Sequence, residues 1–130
     1  MADRARRLGV RLRPHVKTHK CIEIARIQTD LHFGGVTVST LAEAQAFAGG
    51  GFTDITYAVP IAPQKAAEAA DLSAEIDALN LLIDHEDSLR AVEAAAASRG
   101  TVLPVYLEVD CGHGRSGIDP DDEAAEHLVR

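Results

Sequence analysis

The residues of this 130-residue chain best suited to chemistry lie in Arg11-Leu-Arg-Pro-His-Val-Lys-Thr-His-Lys20. His15, Lys17, His19 and Lys20 fall within six positions, next to Arg13. Each cation raises the cost of keeping its neighbours protonated. A lysine that is easily deprotonated is a nucleophile for carbonyl carbon. A second group is Thr56-Tyr57-Ala-Val-Pro60, and a third is Asp110-Cys-Gly-His-Gly-Arg-Ser-Gly117. The glycines of the third group permit tight turns close to a ligand. Arg115 among them offers a planar, permanently charged fork that suits a phenolate, carboxylate or phosphate.

Plainer readings exist for each group. Lys17 and Lys20 could be solvated charges, although cations are disfavoured at a helix start. His15 and His19, with Cys21, could form a metal site on a helix, but Pro14 argues against that geometry. Tyr57 reads more readily as packing than as catalysis. Arg115 could be an ion-pair anchor to Asp110 or Asp119. His32, His85 and His127 are assigned no role.

The elements that must position these groups alternate. A helix over residues 2–8 ends at Gly9, and Val10 to Val16 reads as a first strand. Cys21 to Leu31 carries a helical apolar face of Ile22, Ala25, Ile27 and Leu31. Val36 to Ser39 is a second strand. Thr40 and Glu43 then form a capping-box pattern for a helix to Ala48. Strands are expected at 55–59, 78–83 and 102–109, with helices at 63–71, from Asp84 to Ser98, and from Asp119-Pro120 onward. Strand followed by helix, about five times over with short connections, argues for parallel βα units. No Gly-x-Gly-x-x-Gly follows the first strand, so a dinucleotide-binding fold lacks its fingerprint, and no nucleotide P-loop is present. The architecture expected is therefore α/β, a partial TIM (β/α)8 barrel of about five βα units, truncated at both ends. A whole barrel takes roughly 250 residues. In such barrels chemistry sits at the C-terminal ends of the strands, where all three groups fall.

Composition narrows the function classes. The chain is 46% hydrophobic but only 4% aromatic, so its core is aliphatic and alanine-rich. Its net charge is -7, yet most lysines and arginines lie in the first thirty residues. That basic segment lacks interleaved aromatics and the remainder is acidic, which argues against nucleic acid. No apolar run approaches the roughly 20 residues that span a bilayer, so no membrane role is expected. Cys21 and Cys111 have no zinc or redox spacing and suit a reducing, cytoplasmic setting.

Four stretches together resemble a known family. They are Arg13-Pro-His-Val-Lys-Thr-His-Lys20, Thr37-Val-Ser-Thr-Leu-Ala-Glu-Ala44, Tyr57-Ala-Val-Pro60 and Glu108-Val-Asp-Cys-Gly-His-Gly-Arg-Ser-Gly117. In this order they are similar to D-threonine aldolase and D-serine dehydratase-like enzymes of the alanine-racemase fold type. The resemblance implies a pyridoxal 5'-phosphate-dependent lyase acting on β-hydroxy D-amino acids. Residues 1–130 would be part of its cofactor-binding barrel, and the C-terminal β-domain would be absent. It implies that Lys17 forms the Schiff base with the cofactor, as catalytic residue, and that Arg115 bonds the phenolic oxygen. His15 and Tyr57 match positions near the cofactor, as does His19. A divalent metal is implied for the full-length enzyme, with no ligands in this chain, which alone would be inactive. A homodimer is allowed for the full-length protein. The competing expectations are a non-catalytic pyridoxal-phosphate carrier or an amino-acid racemase of the same fold.

Overall fold

The computed structural model describes residues 1–30 and 32–129. Leu31, expected on a helix face, and Arg130, where the last expected helix is cut off, lie outside them. Helix α1, Ala2–Arg7, ends in basic residues and carries an Arg6–Asp3 ion pair. Helix α2 is Ile22–Thr29, followed by strand β1, Val36–Val38, and helix α3, Leu41–Gly49. Strand β2 is Asp54–Pro60. A 3-10 turn at Pro63–Lys65 leads into α4, Ala66–Ser73, so the helix expected at 63–71 is split and shifted. Strand β3, Ala78–Ile83, helix α5, Glu86–Arg99, strand β4, Val105–Leu107, and helix α6, Glu123–Val129, complete the order.

The four strands form one parallel sheet in the order β1-β2-β3-β4. Sequential parallel neighbours joined by helices are the unit from which a (β/α) barrel is built. The expected α/β class and parallel βα architecture are what the structure has.

The side-chain period of two divides the sheet into two faces. Val36, Val38, Ile55, Tyr57, Leu79, Leu81 and Ile83 are buried on one face. They pack in one core with Leu41, Ala44 and Phe47 of α3, Ala66, Ala69, Ala70 and Leu72 of α4, and Val92 and Ala95 of α5. Alanine at these helix positions lets helix and sheet approach closely, which compensates for the few aromatics. The other face carries Thr37, Thr56 and Asn80 at one register level. Asn80 Nδ2 donates there to Thr56 Oγ1, Asp54 Oδ1 and the Ile55 carbonyl at 3.3–3.4 Å.

One expected strand is not formed. Val10 to Val16 contributes a single parallel bridge, His15 to Thr37, beside β1. The Thr37 amide donates to the Pro14 carbonyl at 2.8 Å. Pro14 has no N–H to extend that ladder. Arg13, read as part of the alternation, instead turns its guanidinium onto the sheet. Its Nη2 donates to both Asp54 carboxylate oxygens at 2.8 and 2.9 Å, and its Nη1 donates to the Val36 and Asp54 carbonyls. Four named strands therefore stand where five were expected. The strand expected at 102–109 is also shorter, since Pro104 delays pairing until Val105.

Candidate active site

Beyond the His15 bridge the chain makes a 3-10 turn, Val16–Thr18, that carries Lys17 at the C-terminal end of the sheet. Val16 is fully buried and pins the turn to the core, while the Lys17 side chain is exposed. His15 caps the turn, its Nδ1 accepting the Lys17 amide at 3.3 Å. On its far side Nε2 lies 3.4 Å from Ser39 Oγ. Burial and the Lys17 ammonium hold the imidazole below its ordinary pKa, against the opposing pull of Glu43 and a Thr37 backbone bond.

Glu43 fastens the same region from α3. The capping box expected at Thr40 is formed: Thr40 Oγ1 accepts the Glu43 amide at 3.0 Å, and Glu43 Oε2 accepts the Ser39 amide at 2.8 Å. The other oxygen, Oε1, lies 3.0 Å from Lys20 Nζ. Burial opposes ionisation of Glu43, but the Ser39 amide and Lys20 outweigh it and the carboxyl sits below its usual pKa. Lys20 adopts φ +49, the left-handed region that side-chain-bearing residues seldom occupy. The two cations expected to press on Lys17 are thus both paired, Arg13 with Asp54 and Lys20 with Glu43.

Opposite this turn is the loop after β4. Asp110 accepts the amides of Gly112, His113 and Gly114 at 2.7–2.9 Å. The His113 amide above all, with those of Gly114 and Gly112, holds its pKa below the ordinary carboxylate value. The loop closes on its own base, with the Asp110 amide donating to the Ile118 carbonyl and the Ile118 amide to the Glu108 carbonyl, both at 2.9 Å. Gly117 sits at this closure with φ +96, and a Cβ there would lie 2.7 Å from the Asp110 nitrogen. Ser116 donates to Glu108 Oε1 at 2.6 Å. The second Glu108 oxygen, Oε2, is buried without a partner among the described residues.

His15, Lys17, Ser39, Glu108, Asp110 and Arg115 line one open cleft of about 630 Å³, within the usual range for small-molecule sites. Among the described residues neither the Lys17 ammonium nor the Arg115 guanidinium has an ion-pair partner; Asp110, one partner considered for Arg115, is occupied by its own loop.

Tyr57 is not among the lining residues. It is buried on the helix-covered face, with Lys65 Nζ 3.5 Å from its hydroxyl. His19 bonds Gln28 through Nε2 and accepts the Cys21 amide at Nδ1, while the Cys21 thiol donates to Glu23. Among the described residues no group of three or more His, Cys, Asp and Glu is placed to hold a metal ion. No helix among them is long and apolar enough to cross a membrane. Ser39 and Glu108 were not singled out as site residues. Glu108 stood within a recognised stretch, but only the fold shows its side chain at the cleft.

A cleft at the C-terminal end of a parallel sheet, with a lysine in the turn beside β1 and an arginine in the glycine loop after β4, lies where a (β/α) barrel places a small-molecule site. The particular family follows from comparison with known proteins. Residues 1–130 match the alanine racemase N-terminal domain, and the chain belongs to that family. It is 39% identical to a D-serine dehydratase of Dictyostelium discoideum, over 99% of this chain and 35% of that protein. It is 40% identical to a D-threo-3-hydroxyaspartate dehydratase of Delftia sp. (strain HT23), over 94% of this chain and 32% of the relative. Among solved structures, D-threonine aldolase from Filomicrobium marinum superimposes with a TM-score of 0.88 at 30% identity, covering 99% of this chain and 35% of that one. The chain spans about a third of the length of these relatives.

Proposed function

We propose that this chain is the amino-terminal part of a pyridoxal-phosphate-dependent lyase acting on β-hydroxy D-amino acids, of the dehydratase or aldolase type. The observation that carries the reading is the pairing of Lys17 and Arg115 across one cleft, both without an ionic partner among the described residues. Their chemistry fits an anionic aromatic aldehyde: one primary amine and one guanidinium fork in an open cleft that also presents apolar surface from Val59, Pro60 and Val109. Lys17 would supply the amine that holds the cofactor's aldehyde carbon, and Arg115 would bond its phenolic oxygen. Bound there, pyridoxal phosphate acts as the electron sink for breaking a bond at the substrate Cα.

The residues of the chain do the positioning. Val16 anchors the Lys17 turn, and Asp110 shapes the loop from which Arg115 projects. The divalent metal implied by the resemblance would act on the substrate hydroxyl, and we assign it no ligand in this chain.

The test is borohydride reduction of the intact protein with pyridoxal phosphate, followed by peptide mapping. Label is expected on Lys17 and is abolished in Lys17→Ala; label on Lys20 instead, or none, overturns the assignment. D-serine should then yield pyruvate and ammonia, or D-threonine glycine and acetaldehyde. If neither is consumed, with or without added divalent metal, the lyase reading fails and a carrier or racemase role takes its place.

A further inference from the structure

Three histidines in this molecule use the same local device. Nδ1 of His15 accepts the Lys17 amide at 3.3 Å, Nδ1 of His19 the Cys21 amide at 3.1 Å, and Nδ1 of His85 the Asp87 amide at 3.1 Å. An imidazole nitrogen that accepts a hydrogen bond carries no proton, so a histidine can cap an amide through Nδ1 only in the neutral form protonated on Nε2. Only at His15 does the capped amide belong to a residue given chemistry to perform.

We propose that His15 is a positioning residue for Lys17: its neutral imidazole caps the turn that carries Lys17 and docks that turn on Ser39. One ring nitrogen fixes the Lys17 backbone. The other, as a donor, points at the Ser39 hydroxyl 3.4 Å away. Ser39 is itself fixed, since its amide is held by the buried Glu43 carboxylate. The chain of contacts runs from the α3 N-terminus through Ser39 and His15 to Lys17. A second proton on His15 would set an N–H against the Lys17 N–H and remove the cap. The groups that face this ring are Lys17 on its own turn and Glu43, paired with Lys20, on α3. Glu108, Asp110, His113 and Arg115 line the same cleft.

The pH consequence has a defined sign. The folded-state pKa of His15 lies below its ordinary value of 6.5. The folded state therefore binds fewer protons here than the unfolded chain. The stabilisation is complete above pH 6.5 and is lost as pH falls from there through the lowered value.

This inference rests on Lys17 holding the cofactor, but its two readouts separate the ideas. The first, amide hydrogen exchange at Lys17 in the intact protein, needs no cofactor. The amide should be protected in the wild type and in His15→Asn, because asparagine caps well and does not titrate. In His15→Ala it should exchange about fivefold faster, as expected for loss of one cap. The second readout is the rate of borohydride labelling of Lys17 by pyridoxal phosphate between pH 5 and 8. His15→Asn should match the wild type at pH 8 and exceed it at pH 5. His15→Ala should be slower throughout, and His85→Ala, which loses the same kind of cap elsewhere, unchanged. Equal exchange in all variants, or an unchanged acid limb in His15→Asn, overturns the proposal. Normal capping with label absent from Lys17 overturns the reading of Lys17 instead.

Discussion

The turn bearing Lys17 is fastened by residues remote in sequence: Arg13 reaches Asp54, Lys20 reaches Glu43 and His15 reaches Ser39. The loop bearing Arg115 is fastened by itself, through Asp110 to three of its own amides, Ser116 to Glu108 and the closure at Ile118. Both sides of the cleft present a cation with no ion-pair partner among the described residues, yet one depends on tertiary structure and the other on local turn chemistry. Damage to the sheet should therefore disturb Lys17 before it disturbs Arg115.

The sharpest way to separate the two sides is Arg13→Ala. It removes a bidentate, quarter-exposed ion pair and two bonds to carbonyls, and leaves Asp54 without its guanidinium. With the partial exposure discounted, the loss should be about 2 kcal/mol by chemical denaturation. Lys17 labelling should fall with it, while amides 112–114 keep their protection; equal loss at both sides would break the distinction.

Gly117→Ala attacks the other side. A Cβ at φ +96 meets backbone at 2.7 Å, so the loop closure must shift at a cost of about 1–2 kcal/mol. The expected signature is faster exchange at Asp110 and Ile118 with the Lys17 amide unaffected. The smallest change should come from Asp110→Ala, which frees three amides of an exposed loop. The melting temperature should fall only slightly, because the loop is exposed, while pyridoxal-phosphate affinity weakens about tenfold as Arg115 loses its fixed approach. Acid should reproduce this locally. The pKa of Asp110 is depressed from 3.8, so its contribution is complete above that value and lost as pH falls through the depressed one.

The same contrast explains what could be read from the chain directly. Local signals were legible: Thr40 and Glu43 form the expected capping box, and Gly100 closes α5 in the left-handed conformation at φ +62. The N-cap of α5 is His85 rather than the expected Asp84, since a histidine ring can serve as an amide acceptor. The group Asp110 to Gly117 was recognisable as a turn, and the resemblance brought Lys17 and Arg115 together. The expected strand at 10–16 misled because the alternation Arg-Leu-Arg is also what a clasp to Asp54 looks like. The destination of Arg13, the reach of His15 to Ser39 and the placing of Tyr57 depend on neighbours in space, which spacing alone does not specify.

Lys20 illustrates a consequence for how freely the chain can vary. An exposed lysine is ordinarily among the most replaceable residues in a protein, and this side chain is 64% exposed. Here the backbone asks for glycine or asparagine, which tolerate φ +49, while the Glu43 carboxylate asks for a cation. No standard residue answers both demands: arginine keeps the charge but not the backbone ease, and glycine the reverse. Substitution at position 20 should therefore be far more restricted than its exposure suggests, with the limit set by two incompatible requirements rather than by contact with any ligand.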